Sequence, residues 1–264
     1  MLKATDLRLT FNPGTPIETQ ALRGMSLEIP TAQFVTVIGS NGAGKSTFLN
    51  AVSGEQKVDG GTIEIDGIDM TRQPVWARAR HVARVFQDPL AGTCEDLTIE
   101  ENMALAKMRG ERRGFSFAVK PALREEFRAQ LATLGLGLEN RLSDRIGLLS
   151  GGQRQAVSLL MAALQPSRLL LLDEHTAALD PRTAAFVLEL TVRIVAEHKL
   201  TTMMVTHSMR QALDVGQRTV MLHQGRVVLD VAGTEREGLD VHHLLDMFEK
   251  VRGEKLDDDA LLLG

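Results

Sequence analysis

Leu148-Leu149-Ser150-Gly151-Gly152-Gln153-Arg154-Gln155 is the stretch whose reading decides the fold. The run that follows it, Gln155 to Leu164, is mostly apolar or small and reads as a buried helix. Ser150 is a good N-cap for that helix. Gly151 and Gly152 would let a phosphate approach the free N–H groups of the first turn. A helix start of this kind suits a polyphosphate, which directs attention upstream to a second glycine loop.

That loop is Gly39-Ser40-Asn41-Gly42-Ala43-Gly44-Lys45-Ser46-Thr47, a full match to G-x-x-x-x-G-K-[ST]. Phe34 to Ile38 reads as a buried strand leading into it, and Lys45 to Ser53 reads as a helix that Gly54 stops. Loop N–H groups would cradle phosphates, Lys45 would reach the β- and γ-phosphates, and the Ser46 hydroxyl would ligate Mg²⁺. Farther on, Leu169-Leu170-Leu171-Leu172 precedes Asp173-Glu174. Four leucines suggest a strand buried on both faces, delivering two carboxylates to its C-terminal edge. Asp173 would hold Mg²⁺, and Glu174 would act as general base toward water.

With these motifs in this order, the chain resembles the ATP-binding subunit of ABC transporters, from about Leu2 to Phe248. The resemblance implies an α/β P-loop NTPase fold. It has a mostly parallel core sheet, an antiparallel β-subdomain and a helical signature subdomain. The alternating segments 2–32 and 60–70 fit the β-subdomain, and Leu97 to Arg109 and Lys120 to Leu134 are helix-like. The cassette would span residues 1–250, with the helical subdomain inserted at about 88–165 and a short, frayed tail at 251–264. Thr219 to Leu222 and Arg226 to Leu229 read as a hairpin through Gln224-Gly225.

The resemblance also assigns roles. Gln87 fits the Q-loop glutamine that touches Mg²⁺ and the attacking water. Asp180, in Ala178-Leu179-Asp180, fits the D-loop that crosses to a partner subunit. His207 fits the switch histidine that contacts the γ-phosphate. Phe11 is the candidate adenine platform in a chain without tyrosine; its other reading is a core or loop phenylalanine. ATP would lie between Lys45 of one copy and Ser150, Gly151, Gly152 and Gln153 of a second, in a twofold dimer. The partners implied are that second copy, a transmembrane permease and, indirectly, a solute-binding protein, with no nucleic acid. The location implied is the cytoplasmic face of the inner (plasma) membrane, as a peripheral protein.

The family more often carries proline where this chain has His175. That histidine would either report pH beside the catalytic pair or be a substitution that loosens the turn, and the second is favoured. His81, His198, His223, His242 and His243 read as ordinary histidines, since adjacent residues such as His242 and His243 diverge on a helix. Lys107, Arg109, Arg112, Arg113 and Lys120 form a basic stretch that faces either headgroups and permease or plain solvent.

The chain has 264 residues, a formal net charge of −4 and one cysteine, Cys94. It has ample core, shows no strong nucleic-acid field and forms no intrachain disulfide. The N-terminus lacks the apolar core of a signal peptide, and no apolar run approaches the roughly 18 residues a membrane helix needs. Phe11 to Thr15, Gly92-Thr93-Cys94 and Asp173 to Thr176 look similar to a subgroup of bacterial import cassettes. The permeases of that subgroup resemble those for branched-chain amino acids, and some members are linked with aromatic amino acids. A different solute stays open. So does a soluble ABC ATPase acting on ribosomes or DNA, although such proteins usually carry two cassettes, a coiled-coil insertion or a basic tail. A non-hydrolysing module is disfavoured by intact Lys45, Asp173, Glu174 and His207.

Overall fold

The structure, a computed structural model, describes residues 1–111 and 119–252, with side chains through Glu249. Contacts gather it into two compact units, residues 1–78 with those from 200 onward, and residues 79–199. In chain order, strands β1 (Leu2–Phe11), β2 (Thr19–Ile29) and β3 (Phe34–Gly39) lead to helix α1 (Lys45–Ser53). Strands β4 (Gly60–Ile65) and β5 (Ile68–Asp69) and helix α2 (Val75–Arg78) follow. The second unit holds β6 (Val82–Val85), α3 (Ile99–Lys107), α4 (Pro121–Ala132), α5 (Gly151–Ala163), β7 (Leu169–Asp173) and α6 (Pro181–His198). The chain then returns to the first unit with β8 (Thr202–Val205), α7 (Met209–Asp214), β9 (Arg218–His223), β10 (Arg226–Ala232) and α8 (Val241–Arg252).

In the first unit, β2-β1-β4-β5 form an antiparallel sheet. Leu2, Ala4, Leu7 and Leu9 are buried while Lys3, Thr5 and Arg8 are exposed, the period of a strand with one wet face. The remaining strands of this unit run β10-β9-β3-β8, with β3 parallel to both its neighbours. Every residue of β3 and β8 is buried, so no alternation shows in their sequences. Buried Thr36 is satisfied by the Ala212 carbonyl and the Thr219 hydroxyl, each at 3.0 Å. The β9–β10 hairpin closes His223 on Arg226 through Gln224 and Gly225, both at positive φ as a two-residue turn demands. On α8, Leu244 and Phe248 share a face and pack on Ile38, Met209 and Met221.

Helix α1 ends at Gly54, whose φ of 87° gives the left-handed stop. Its last carbonyls are closed by a side chain from α2. Arg78, only 2% exposed, donates to Ala51 at 2.7 Å and Val52 at 2.8 Å, and also to Gln73 and Thr71. Burial lowers the pKa of this guanidinium, and carbonyl dipoles take the place of a carboxylate partner. A Cβ at position 54 would come within 2.9 Å of that side chain, so the glycine also makes room for it.

In the second unit β6 and β7 are parallel, with Val85 opposite Leu172. Thr98 and Glu101 form a capping box at α3, and Pro121 opens α4. Asn102, 1% exposed, holds the preceding loop: its amide donates to Cys94, Leu97 and Thr98 carbonyls, and its oxygen accepts from Cys94 N–H. The described part of 88–165 is helical and lacks strands, and the compact unit around it is wider, since β6, β7 and α6 belong to it. Arg112 and Arg113 of the basic stretch lie outside the described residues. Helix α8 runs through Arg252, and the rest of the expected tail also lies outside them.

Replacing Arg78 with methionine keeps the stem but strands the carbonyls of Ala51 and Val52. Urea unfolding of Arg78→Met should show a loss of about 2–4 kcal/mol. A loss below about 0.5 kcal/mol would show that the guanidinium does not hold the end of α1.

Candidate functional site

The expected residues divide between the two units. In the first, β3 delivers Gly39 beside β9, and a Cβ there would meet the Leu222 carbonyl oxygen at 2.3 Å. Only glycine fits that approach. The loop then turns through Ser40 to Ala43 and enters α1 at Gly44, with φ 99° and no side chain bonding back to the first turn. Helices α3, α5, α6 and α7 are instead capped by Thr98, Ser150, Asp180 and Ser208. Leaving the amide end of α1 uncapped, with the dipole behind it, suits an anion. Lys45 is 5% exposed, and its ammonium donates to Gly39 at 2.6 Å and Ser40 at 3.2 Å, folded over its own loop. Ser46 and Thr47 follow in the first turn of α1.

Two further expected residues share this unit. Val205 of β8 lies opposite Val37 of β3, so His207 stands level with Gly39 at the same sheet edge. It is half-buried and precedes the Ser208 cap of α7. Phe11 ends β1 opposite Thr19 and is 37% exposed. Ala21 of β2, two residues beyond Thr19, lies against the loop: a Cβ on Gly44 would meet its carbonyl at 2.7 Å. The exposed ring is therefore not a core residue, and its face is open to stack on a base.

In the second unit, Asp173 ends β7 and Glu174 follows, 8% exposed, with φ 45°. A left-handed backbone at a non-glycine residue is strained and is found disproportionately at functional sites. Because Val85 lies opposite Leu172, Gln87 stands level with Glu174 at the C-terminal edge of these strands, exposed to solvent. Asp173 Oδ2 accepts from Arg84 at 2.6 Å, while no described residue hydrogen-bonds its Oδ1. The donors this unit could offer a metal, the Gln87 amide oxygen and this carboxylate, are hard oxygens, as is the Ser46 hydroxyl expected of the first unit. No group of three or more His, Cys, Asp or Glu able to hold a metal ion occurs among the described residues. One carboxylate with few protein oxygens fits Mg²⁺ held largely by phosphates and water.

Ser150 caps α5 with a full box: its hydroxyl accepts from Gln153 N–H, and the Gln153 side chain accepts from Ser150 N–H. Gly151 is exposed, but Gly152 is buried, and a Cβ there would lie 2.1 Å from Thr183 Cγ2 on α6. The second glycine therefore answers to helix packing as well as to phosphate access. Asp180 caps α6 through Thr183 N–H, and hydrogen bonds from the Thr183 hydroxyl and then its N–H hold the carboxyl below the usual range.

His175 does not loosen the turn. It is 2% exposed, with Nε2 at 2.9 Å from the Thr191 hydroxyl, which itself donates to the Val187 carbonyl at 2.8 Å. Nε2 must therefore carry the proton and donate, and burial drives the pKa down to about 4. The ring pins the turn after Glu174 to α6. Two residues beyond the expected set also matter. Gln155, fully buried on α5, donates to the Phe86 carbonyl at 3.0 Å and ties α5 to the end of β6. Arg84 breaks the apolar run of β6, a charge in a buried strand that signals a fixed partner.

A strand, a glycine loop and an uncapped helix start with its lysine, together with an acidic pair at a strand's carboxyl edge, define a P-loop nucleotide-binding protein. The chain belongs to the ABC transporter family, which matches residues 22–177. A tyrosine transport ATP-binding protein of Clostridioides difficile is 44% identical over 254 residues, covering 94% of this chain and 99% of that one. An aliphatic sulfonates import ATP-binding protein of Agrobacterium fabrum is 34% identical over 81% of this chain and 74% of its own. A solved ATP-binding cassette, dimeric in a post-hydrolysis state with ADP and Pi, is 28% identical with a TM-score of 0.75, covering 88% and 98%. The expected α/β cassette fold and ATP-hydrolysing class hold for this chain.

Buried neutral His175 gives a pH signature. Its folded pKa of about 4 lies below the ordinary 6.5, so below pH 6.5 the unfolded chain takes up a proton that the native chain does not. Stability falls as pH drops through that window, by up to about 1.4 kcal/mol per pH unit from this group. His175→Gln, which keeps a donor for Thr191, should reduce the slope by that amount in urea titrations between pH 6.5 and 4.5. An unchanged slope would contradict the buried neutral ring.

Proposed function

We propose that this chain is the energy-coupling ATPase of a solute importer of amino-acid type, working as a head-to-tail dimer on a separate permease. The observation that carries the reading is 44% identity to a tyrosine transport ATP-binding protein across almost the full length of both chains. No helix among the described residues is long and apolar enough to cross a membrane, which agrees with a permease on another polypeptide. A peripheral place at the cytoplasmic face of the inner membrane and an indirect link to a solute-binding protein belong to the same reading. The cassette at residues 1–250, its inserted helical subdomain at 88–165 and the tail from 251 belong to it as well.

Each side chain then has a task. N–H groups of Gly42, Gly44, Lys45 and Ser46 bind phosphate oxygens, with Ser40, Asn41, Ala43 and Thr47 completing the loop. The Lys45 ammonium exchanges loop carbonyls for the β- and γ-phosphates. Phe11 stacks on adenine. Ser46, Asp173 and Gln87 would hold Mg²⁺, which would supply positive charge against the phosphates of the nucleotide. Glu174 accepts the proton of the attacking water as its oxygen bonds to the γ-phosphorus and the bond to the ADP oxygen breaks. His207 holds the γ-phosphate. From a second copy come Ser150, Gly151, Gly152 and Gln153, with Asp180 at the crossing. A dimeric solved relative supports that arrangement.

Glu174→Gln should keep ATP binding, lose at least about a hundredfold in turnover and accumulate an ATP-bound dimer in size-exclusion chromatography. Turnover near that of the parent would remove Glu174 from the role of base. For the transport reading, affinity purification from solubilised membranes should recover a permease of amino-acid type, and uptake of labelled tyrosine should fail when Lys45 is replaced by alanine. Recovery with ribosomes instead of a membrane protein would overturn the reading.

A further inference from the structure

Arg84 is a cation placed where little in the β6 sequence calls for one. It occupies the third position of Val82-Ala83-Arg84-Val85, whose other three residues are buried. Its side chain is 11% exposed and that of Asp173 is 14% exposed, so the pair is largely withdrawn from water. Nη2 donates to Asp173 Oδ2 at 2.6 Å in a single N–H···O bond. The guanidinium also lies 4.6 Å from the ring centroid of Phe86, on the same face of the strand end. Phe86 is fixed in turn, since its carbonyl accepts from buried Gln155.

Two physical consequences follow. A carboxylate at the end of a strand of four buried leucines, with little water around it, needs a counter-charge whenever no metal is near. A fixed guanidinium on that carboxylate also repels any second cation brought to it. We infer that Arg84 is a positioning residue: it orients Asp173 through Oδ2, leaves Oδ1 for the Mg²⁺ hydration shell, and weakens the grip of Asp173 on the metal. Mg²⁺ with its nucleotide can then enter and leave in each cycle. The inference rests on the reading of Asp173 as the metal carboxylate.

The test uses Arg84→Gln and Arg84→Lys in the full chain. Binding of a non-hydrolysable ATP analogue is measured by calorimetry across a Mg²⁺ series, with thermal unfolding of the nucleotide-free proteins alongside. Removing the charge in Arg84→Gln should shift the half-saturating Mg²⁺ concentration down by on the order of tenfold. It should also lower the melting temperature of the nucleotide-free protein, with Mg²⁺ and nucleotide restoring it. Arg84→Lys keeps the charge and should stay within about threefold of the parent. If Arg84→Gln fails to fold, Phe86→Leu loosens the guanidinium without removing it, and should move the Mg²⁺ midpoint in the same direction by a smaller factor. An unchanged or raised Mg²⁺ midpoint in the variant read would overturn the inference. Parent binding indifferent to Mg²⁺, or unaltered in its Mg²⁺ midpoint by Asp173→Asn, would overturn the metal reading beneath it.

Discussion

Helix α1 begins on a glycine, and no side chain among the described residues caps its amide end. The first turn of any helix carries N–H groups that need acceptors, and here the sequence provides none of the usual kind. Much of the first unit is arranged around that opening. Fully buried β3 fixes where the loop starts, the Leu222 carbonyl leaves room only for Gly39, and Arg78 closes the opposite end of the helix with donors of its own. A helix anchored at its carboxyl end can hold its amino end open without fraying. Lys45 folds over the Gly39 and Ser40 carbonyls and keeps its charge satisfied at the same spot.

Three buried or half-buried arginines solve the same electrostatic problem in different ways. Arg78 relies on carbonyls alone. Arg236 gathers the Ala212, Leu213 and Val215 carbonyls at the end of α7. Arg84 takes a carboxylate and an aromatic face. The first two tie off helix ends, where dipoles already favour a cation. The third is tied to a carboxylate, and on the proposed reading of Asp173 as a metal carboxylate that ion pair would compete with a ligand.

The phosphate loop, the α5 cap, the hairpin at Gln224-Gly225 and the acidic strand end were legible because each is a local pattern: turn residues, a capping serine, a run of leucines. The antiparallel sheet was legible from its alternation. The meaning of Gly152 was only partly legible, because Thr183 lies on another helix and no spacing rule brings the two together. His175 was read as loosening its turn for the same reason: its hydroxyl partner, Thr191, is sixteen residues away on α6. Arg84 and Gln155 were missed as well. Arg84 is a charge inside an apolar run, a pattern that signals a partner without naming it, whereas Gln155 follows Gln153-Arg154 and nothing in the sequence marks it as buried.

The loop held by Asn102 has a practical side. Cys94 is the sole cysteine of the chain; it is exposed, and its backbone is fixed at both N–H and carbonyl by one buried amide. A thiol-reactive dye added to the unaltered protein would therefore land at a single position on a constrained loop, seven residues past Gln87. The molecule carries its own labelling handle for following nucleotide-driven motion by fluorescence, with no cysteine to add or remove.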